Sequence, residues 1–221
     1  DCPNKANGDQ NDNDGDGLID LNDPDCAPFI PPPPPASNVG HILISEIQTS
    51  GGPGATTNDF IEIYNPTGTP FNLNGHRLVK RTATGISDTS IKSWTSDAFI
   101  PAHGFYLWAN SSYASVSPDA ATSQSIAANN GIAIRLGPED TGTIIDSVAW
   151  GTATNGFGEG TLLGDLEDNQ SFERKAWTDS CVSAQGSGET LGNGCDNSDN
   201  LSDFEVRGTP TPQNSSSGTE P

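Results

Sequence analysis

Short β-prone stretches separated by turn residues run through the middle of this 221-residue chain. Clusters of Gly, Pro, Asn or Ser bound each stretch at hairpin-like intervals. Apolar and polar residues alternate within several of them, so that Phe60, Glu62 and Tyr64 face oppositely to Ile61 and Ile63. No window of a dozen residues carries an apolar stripe of helical period. The predicted strands are His41–Gln48, Asp59–Tyr64, Gly75–Arg81, Ile91–Trp94, Gly104–Ala109, Gly131–Leu136, Ile144–Trp150 and Ser171–Lys175.

This pattern predicts an all-β fold. Seven to nine short strands within about 135 residues are typical of a β-sandwich, here of the immunoglobulin-like kind. Hydrophobic residues make up only 32% of the chain, but they concentrate between residues 40 and 177. We therefore expect one main domain with a modest core and ordered appendages.

The charge balance limits the partners of the chain. Its formal net charge is −20, which argues against nucleic acid or an anionic membrane as the main partner. No apolar run approaches the roughly 18 residues of a membrane-spanning helix, so no membrane insertion is expected.

The four cysteines, Cys2, Cys26, Cys181 and Cys195, form two close pairs that flank the apolar middle. This arrangement favours disulfides in an oxidising compartment. Three pairings are open to four cysteines, and proximity along the chain favours Cys2–Cys26 with Cys181–Cys195. The absence of Met and the start at Asp1 predict removal of a secretion signal, hence an extracellular, secreted or cell-surface location.

Residues 1–26 hold eight Asp and one Lys, which would repel one another without a cation among them. Residues 12–23 space oxygen ligands as a calcium loop does, with Gly17 at the sharp turn. The alternative is an acidic, solvated, disordered loop. The predicted Ca²⁺ ligands are the side chains of Asp12, Asp14, Asp16, Asp20 and Asp23 and the backbone carbonyl of Leu18.

The wider run from Cys2-Pro3-Asn4 to Asp23-Pro24-Asp25-Cys26 resembles a thrombospondin type 3 calcium repeat of bacterial surface proteins. The resemblance implies calcium ligation by the loop aspartates just named. It also makes Asp9, Asn11 and Asp25 candidates for a second ion.

Five consecutive prolines, Pro31–Pro35, follow this loop. They predict a stiff polyproline II spacer of about 15 Å within residues 27–39. The alternative is a docking peptide for an aromatic-lined groove.

From residue 40 onward, sequence motifs follow one another in the order found in a lamin tail domain. The chain resembles this family at Ile42–Ile47, Asp59–Pro66, Phe71–Leu78, Ile100–Leu107, Asn130–Leu136, Ile145–Gly151, Ser171–Arg174 and, in variant form, Gly208–Asn214. The resemblance implies an immunoglobulin-like sandwich that occurs in bacteria on secreted and surface proteins as a non-catalytic module. The expected organisation is a disulfide-closed calcium loop (1–26), the spacer (27–39), the sandwich (40–177) and a disulfide-clipped acidic segment (178–221) with a final strand motif near 204–214.

Three acidic residues, Glu46, Glu62 and Asp146, could form a catalytic set, because paired carboxylates act as general acids and bases. The family pattern favours a structural role instead, as buried carboxylates bonded to loop backbone or to Arg174. The three histidines have no metal-ligand spacing and no nucleophile motif. We therefore do not expect an enzyme.

Two surfaces are candidate binding sites. A basic cluster of His76, Arg77, Lys80 and Arg81 is expected on a solvated strand face, where it could accept an acidic loop from another copy. Four tryptophans could line a sugar platform, although the core needs them first. They are Trp94, Trp108, Trp150 and Trp177.

Residues 215–221 have nothing apolar to bury, so we expect this tail to be ordered only where a neighbouring molecule holds it. The resulting hypothesis is a self-assembling extracellular polymer, in which the calcium loop or C-terminal arm of one copy docks on the next. Four asparagines fit the N-x-[ST] motif for glycosylation: Asn110, Asn169, Asn200 and Asn214.

The sequence thus predicts a non-catalytic extracellular structural protein that binds Ca²⁺ and acts by self-assembly into a filament or surface layer, or by adhesion to cell-surface components. The alternative is a carbohydrate-binding or targeting module of a larger secreted enzyme.

Overall fold

A computed structural model describes residues 39–221 of the chain. The predicted calcium loop, the Cys2–Cys26 pair and nearly all of the proline-rich spacer lie outside the described residues, and they remain predictions.

The described part is built almost entirely from short strands. The strands are β1 (Leu43–Gln48), β2 (Phe60–Tyr64), β3 (Phe71–Asn72), β4 (His76–Thr82), β5 (Thr89–Ser93), β6 (Phe99–Ile100), β7 (Phe105–Asn110), β8 (Ala120–Thr122), β9 (Asn130–Leu136), β10 (Thr143–Ala149), β11 (Ser171–Arg174), β12 (Ala176–Trp177), β13 (Cys181–Val182) and β14 (Phe204–Arg207). The helices are one α-helix, α1 (Asn200–Asp203), and one 3-10 turn, Gly186–Gly188.

Two sheets form a sandwich, which confirms the predicted all-β, immunoglobulin-like fold. The larger has the order β14-β11-β1-β2-β7-β8 and the smaller β10-β9-β4-β5. All eight predicted strands are present within two residues of their predicted ends. β14 lies within the final strand motif predicted near 204–214, and the strands that were missed have two or three residues, too few for an alternation to show.

The core lies between the two sheets. The larger sheet supplies Ile61, Ile63 and Trp108, and the smaller sheet supplies Leu78 and Ile132. These side chains are fully buried. Because side chains alternate along a strand, the larger sheet also has an outer face, and this face is buried as well: every residue of β2 is buried.

Three of the four tryptophans belong to this core. Trp94, Trp108 and Trp150 are at most 4% exposed. Each indole N–H donates within the fold, to Tyr106, Thr122 and Ala127 respectively. The expectation of a sugar platform built from these rings is therefore wrong, because the faces of the rings pack against other side chains.

A buried ion pair joins the two sheets. Arg174 of β11 donates from Nη2 to both carboxylate oxygens of Asp146 on β10, at 2.9 and 3.1 Å. The Asp146 carboxylate also accepts from the Ile44 backbone N–H at 2.6 Å. Arg174 Nε donates to the Ile44 carbonyl and Nη1 to the Cys195 carbonyl. The guanidinium thus ties both sheets to the C-terminal segment.

The C-terminal segment belongs to the larger sheet and then covers it. Cys181 and Cys195 form a disulfide, the pairing that proximity predicted. The chain then adds β14 beside β11 and runs on as residues 208–221, which we call the strap. The expectation that only a neighbouring molecule could order this tail is wrong. Its own chain holds it, since Tyr64, Glu62 and Asp119 all bond to the strap.

The Arg174→Met variant should lose about 3–5 kcal/mol of unfolding free energy, because it leaves the Asp146 carboxylate buried without its cation. Arg77→Met is the matched control. Arg77 pairs with the half-exposed Glu139, and its loss should cost about 1 kcal/mol or less. Urea unfolding of both variants measures the difference, and equal losses would contradict the assigned role of Arg174.

Candidate functional site

Four glutamates stand in one row across the outer face of the larger sheet. In the strand register Glu46 lies opposite both Glu62 and Glu173, and Glu173 lies opposite Glu205. Residues directly opposite in an antiparallel pair share a face, and like charges at these positions destabilise a sheet. Such a row needs compensating contacts. We call Glu46, Glu62 and Glu173 the carboxylate row; Glu205 continues it beyond Glu173.

A β-bulge in β1 places Glu46 in this row. The register of β1 against β2 shifts between Ile44 and Glu46. With the extra residue, Ile44 and Ile47 both reach the core while Glu46 points to the outer face. Strict alternation would have put Ile44 and Glu46 on the same side.

Glu46 and Glu62 are each 2% exposed, and they are satisfied by hydrogen bonds. Glu46 Oε1 accepts from Ser171 Oγ at 2.5 Å and from the Thr211 backbone N–H at 3.2 Å. Glu62 accepts from Ser45 Oγ at 2.6 Å and from the Gln213 backbone N–H at 2.5 Å. Two of these four donors belong to the strap.

Within the described part of the chain, cations reach only one end of the row. Arg207 Nη1 donates to both oxygens of Glu173, at 2.5 and 2.7 Å, and Nη2 donates to Glu189. Glu205 accepts from Ser183 Oγ and from the Ala184 N–H, both at 2.9 Å. None of the ion pairs among residues 39–221 includes Glu46 or Glu62.

Burial sets the electrostatics of the row. Loss of hydration raises the pKa of Glu46 to about 8, against hydrogen bonds that lower it and a neighbouring Glu173 that raises it further. Burial, together with the charge of Glu46, raises the pKa of Glu62 well above its ordinary value. Burial also raises the pKa of Glu173 to about 7, although Arg207 opposes the shift. The row is therefore partly protonated near neutral pH.

The strap makes further polar contacts beyond the row. Ser215 donates from its backbone N–H to Asp119 at 3.0 Å, and its hydroxyl donates to the other carboxylate oxygen. Asp119 also accepts from the Leu107 N–H. Near the strap's end, Tyr64 donates its phenolic O–H to the Glu220 carbonyl, and the Glu220 N–H donates to the His103 carbonyl.

The three candidate carboxylates do not form a catalytic set. Glu46 and Glu62 lie under the strap, whereas Asp146 lies on the other sheet and is held by Arg174. Burial raises the pKa of Asp146 despite that arginine. Each carboxylate already accepts bonds from its own chain, so the geometry supports the predicted structural role. Sequence reasoning missed Glu173, Arg207 and Asp119, since only the register and the path of the strap bring them to this face.

The predicted basic cluster is not a single exposed face. Leu78 packs in the main core, while Val79 packs in a smaller cluster on the opposite face. The four basic residues around them therefore divide between two faces. His76 is buried, and Arg81 pairs with Asp88 at 2.8 Å. The expectation of one solvated basic surface is wrong.

Two of the four glycosylation candidates are buried. Asn110 is 5% exposed and donates to the Gln124 carbonyl, and Asn200 is 1% exposed and donates to the Ser147 carbonyl. A glycan cannot be attached to either amide in this fold, so those two expectations are wrong. Asn169 is exposed and Asn214 is half-buried, and both remain candidates.

Metal binding is limited within the described residues. The group of side chains there that could converge on one ion is Cys181, Cys195 and Asp203, and the two sulfurs are joined in a disulfide. None of the helices in residues 39–221 is both long and apolar enough to cross a membrane.

Fold and buried contacts define an immunoglobulin-like sandwich module. The family model of the lamin tail domain matches residues 35–152, and the chain belongs to that family. Lamin tail domains are non-enzymatic, immunoglobulin-like domains. The match ends before β11, so the Arg174 contacts, β14 and the strap lie beyond it.

Comparison with solved structures supports the fold. A DUF4876 family protein from Bacteroides thetaiotaomicron is similar at a TM-score of 0.54 and 15% identity, over 76% of this chain and 71% of that one. No curated protein matches the sequence.

Unfolding free energy should fall as pH rises from about 4.5 to about 8. The folded state holds a proton on Glu46 that the unfolded chain releases above its ordinary pKa of 4.5. Glu62 and Glu173 act in the same direction, as do Asp59 and Glu159, whose pKa values burial raises to about 6 and about 7. Urea unfolding at several pH values measures this slope.

Glu46→Gln should flatten that slope by about one proton, or roughly 1.4 kcal/mol per pH unit. Glu167→Gln, at an exposed carboxylate, is the control and should leave the slope unchanged. Identical slopes for wild type and Glu46→Gln would contradict a raised pKa at Glu46.

Proposed function

We propose that this chain is a non-catalytic extracellular structural protein that assembles with other copies of itself, into a filament or surface layer, or adheres to cell-surface components. Calcium bound by residues 12–23 would rigidify its N-terminal segment. The extracellular location is supported by the paired cysteines, of which Cys181 and Cys195 are bonded.

One observation carries the non-catalytic part of the proposal. The carboxylates that pattern reading offered as acid and base are at most 2% exposed, and their oxygens accept bonds from Ser45, Ser171, Arg174 and the strap. A general acid or base must come within hydrogen-bond reach of a substrate. These groups hold the fold together instead.

The described surface favours polar over apolar contacts in the proposed assembly. The exposed large apolar side chains lie singly on separate strands, loops and the short helix, and so do not mark one docking patch. They are Ile86, Phe99, Leu136, Ile144, Leu201 and Val206. With a net charge of −20, copies repel one another unless cations reduce the repulsion, and Ca²⁺ would do so.

The assembly should depend on Ca²⁺. Electron microscopy and light scattering of the protein in Ca²⁺ should show ordered polymers that disperse or lose regularity in EDTA. Asp12→Ala removes the first ligand of the predicted loop and should reproduce the effect of EDTA. Glu167→Ala removes one exposed carboxylate outside the loop and should assemble like wild type. A monomer in both conditions would contradict the assembly.

A second candidate function is carbohydrate binding, favoured by a groove of about 380 Å³ beside the strap. Its lining residues are mostly uncharged amides, hydroxyls and prolines with one aromatic ring, a chemistry that suits a neutral sugar. They include Gln48, Asn58, Tyr113, Asn169 and Pro210.

If this groove binds sugars, a glycan array should show hits that Asn58→Ala weakens by about tenfold, the effect of losing one good hydrogen bond. Asn74→Ala, an exposed amide outside the groove, is the control. An array without hits would contradict sugar binding and leave the structural function as the one remaining proposal.

A further inference from the structure

The strap is held to the sheet by polar contacts. Prolines are its only apolar residues, and Pro212 is its only buried residue. Its attachments include hydrogen bonds from Thr211, Gln213 and Ser215 to carboxylates, a bond from the Asn214 amide to the Ser117 carbonyl, and the contacts of Glu220 to Tyr64 and His103. Hydrogen bonds exchange with water at little net gain, so these polar contacts oppose departure of the strap only weakly.

The surface under the strap favours departure when it ionises. Glu46 and Glu62 face each other. Both also face Glu173 and Tyr113, and Arg207 lies at the far end of the row. Glu173 faces Arg207, Glu189 and Glu205. Glu220 of the strap adds a further carboxylate near Glu189 and Arg207. One arginine therefore serves six carboxylates, and ionisation of the row increases the repulsion under the strap and the gain from hydration.

The strap can detach while β14 stays in the sheet. Arg207, the last residue of β14, is fixed by Glu173 and Glu189. The next two residues, Gly208 and Thr209, are exposed. A Cβ placed on Gly208 would have no atom within 4 Å, so open space surrounds this glycine, which can adopt backbone angles closed to other residues.

The strap carries little of the charge by which copies of the chain repel one another. Glu220 is its only charged residue, whereas the whole chain carries −20. A strap that arrives from a second copy can make every bond that the resident strap makes, because the donors and acceptors are identical. Exchange of an identical segment is a low-cost route to association.

We propose that the carboxylate row, with Asp119, is the docking surface for the strap of a second copy of this chain. The inference rests on the proposed self-assembly and names its interface. Reciprocal exchange between two copies gives a closed dimer, and one-way exchange from copy to copy gives an open chain.

Crosslinking between two variants, each with one added cysteine, tests the exchange. Asp119→Cys and Ser215→Cys place thiols on two side chains that touch when the strap is docked. The two proteins are mixed at high concentration at pH 9, returned to pH 6 and oxidised mildly. A covalent heterodimer should appear on a non-reducing gel, because each cysteine finds its partner only on the other protein. Ser216→Cys, at the exposed neighbouring residue, should crosslink to Asp119→Cys at least about fivefold less.

A second measurement needs no substitution at the sheet. A fluorescent peptide of residues 208–221 should bind the intact chain after the same pH cycle, seen as a rise in anisotropy that a scrambled peptide does not give. Absence of both the heterodimer and the peptide complex would overturn the exchange.

The same samples separate this inference from the proposed function. Polymers that form in Ca²⁺ without the heterodimer would overturn strap exchange and leave self-assembly standing. A heterodimer in a preparation that forms no polymer in Ca²⁺ would support the docking surface and contradict the filament or layer.

Discussion

The ion pair between Asp146 and Arg174 is the contact on which the sandwich most depends. It is fully buried, it joins β10 of one sheet to β11 of the other, and it bonds both backbone groups of Ile44. A charge removed from water is tolerated only when it is paired and its remaining hydrogen-bonding groups are satisfied. Arg174 meets this requirement through Asp146, Ile44 and Cys195, and its guanidinium stacks over Phe204 at 4.5 Å. The pair therefore fixes how the sheets and the disulfide-bonded segment fit together.

The carboxylate row meets the same problem in a different way. Glu46 and Glu62 have no arginine, and hydroxyl and backbone donors satisfy them instead. Such donors stabilise a carboxylate without neutralising its charge, whereas Arg174 places a full positive charge beside Asp146. One sandwich thus contains an arginine-paired carboxylate between its sheets and two carboxylates held by neutral donors, Glu46 and Glu62, on its outer face. The strap covers these two.

The fold was largely predictable from the sequence, and the contacts of the site only in part. Alternation along β2 and β9 and turn residues at their ends place the eight main strands, because period two and chain breaks are local properties. Glu46, Glu62 and Asp146 could be recognised as structural carboxylates from the family resemblance. Their partners could not, since the strap donors lie 151 and 165 residues away along the chain. The predicted basic face failed for a related reason: alternation divides those side chains between two faces.

By itself the sequence determined an all-β chain, the pairing of Cys181 with Cys195 by proximity, and a strongly acidic surface. It also determined the oxygen spacing of residues 12–23, on which the proposal of calcium binding depends. Tertiary structure alone decided that the polar tail crosses the outer face of the larger sheet and that three glutamates from distant segments meet beneath it. The physical reason is that strand register, and the path of a segment whose only apolar residues are prolines, are set by long-range hydrogen bonds. Neither leaves a periodic pattern in the sequence.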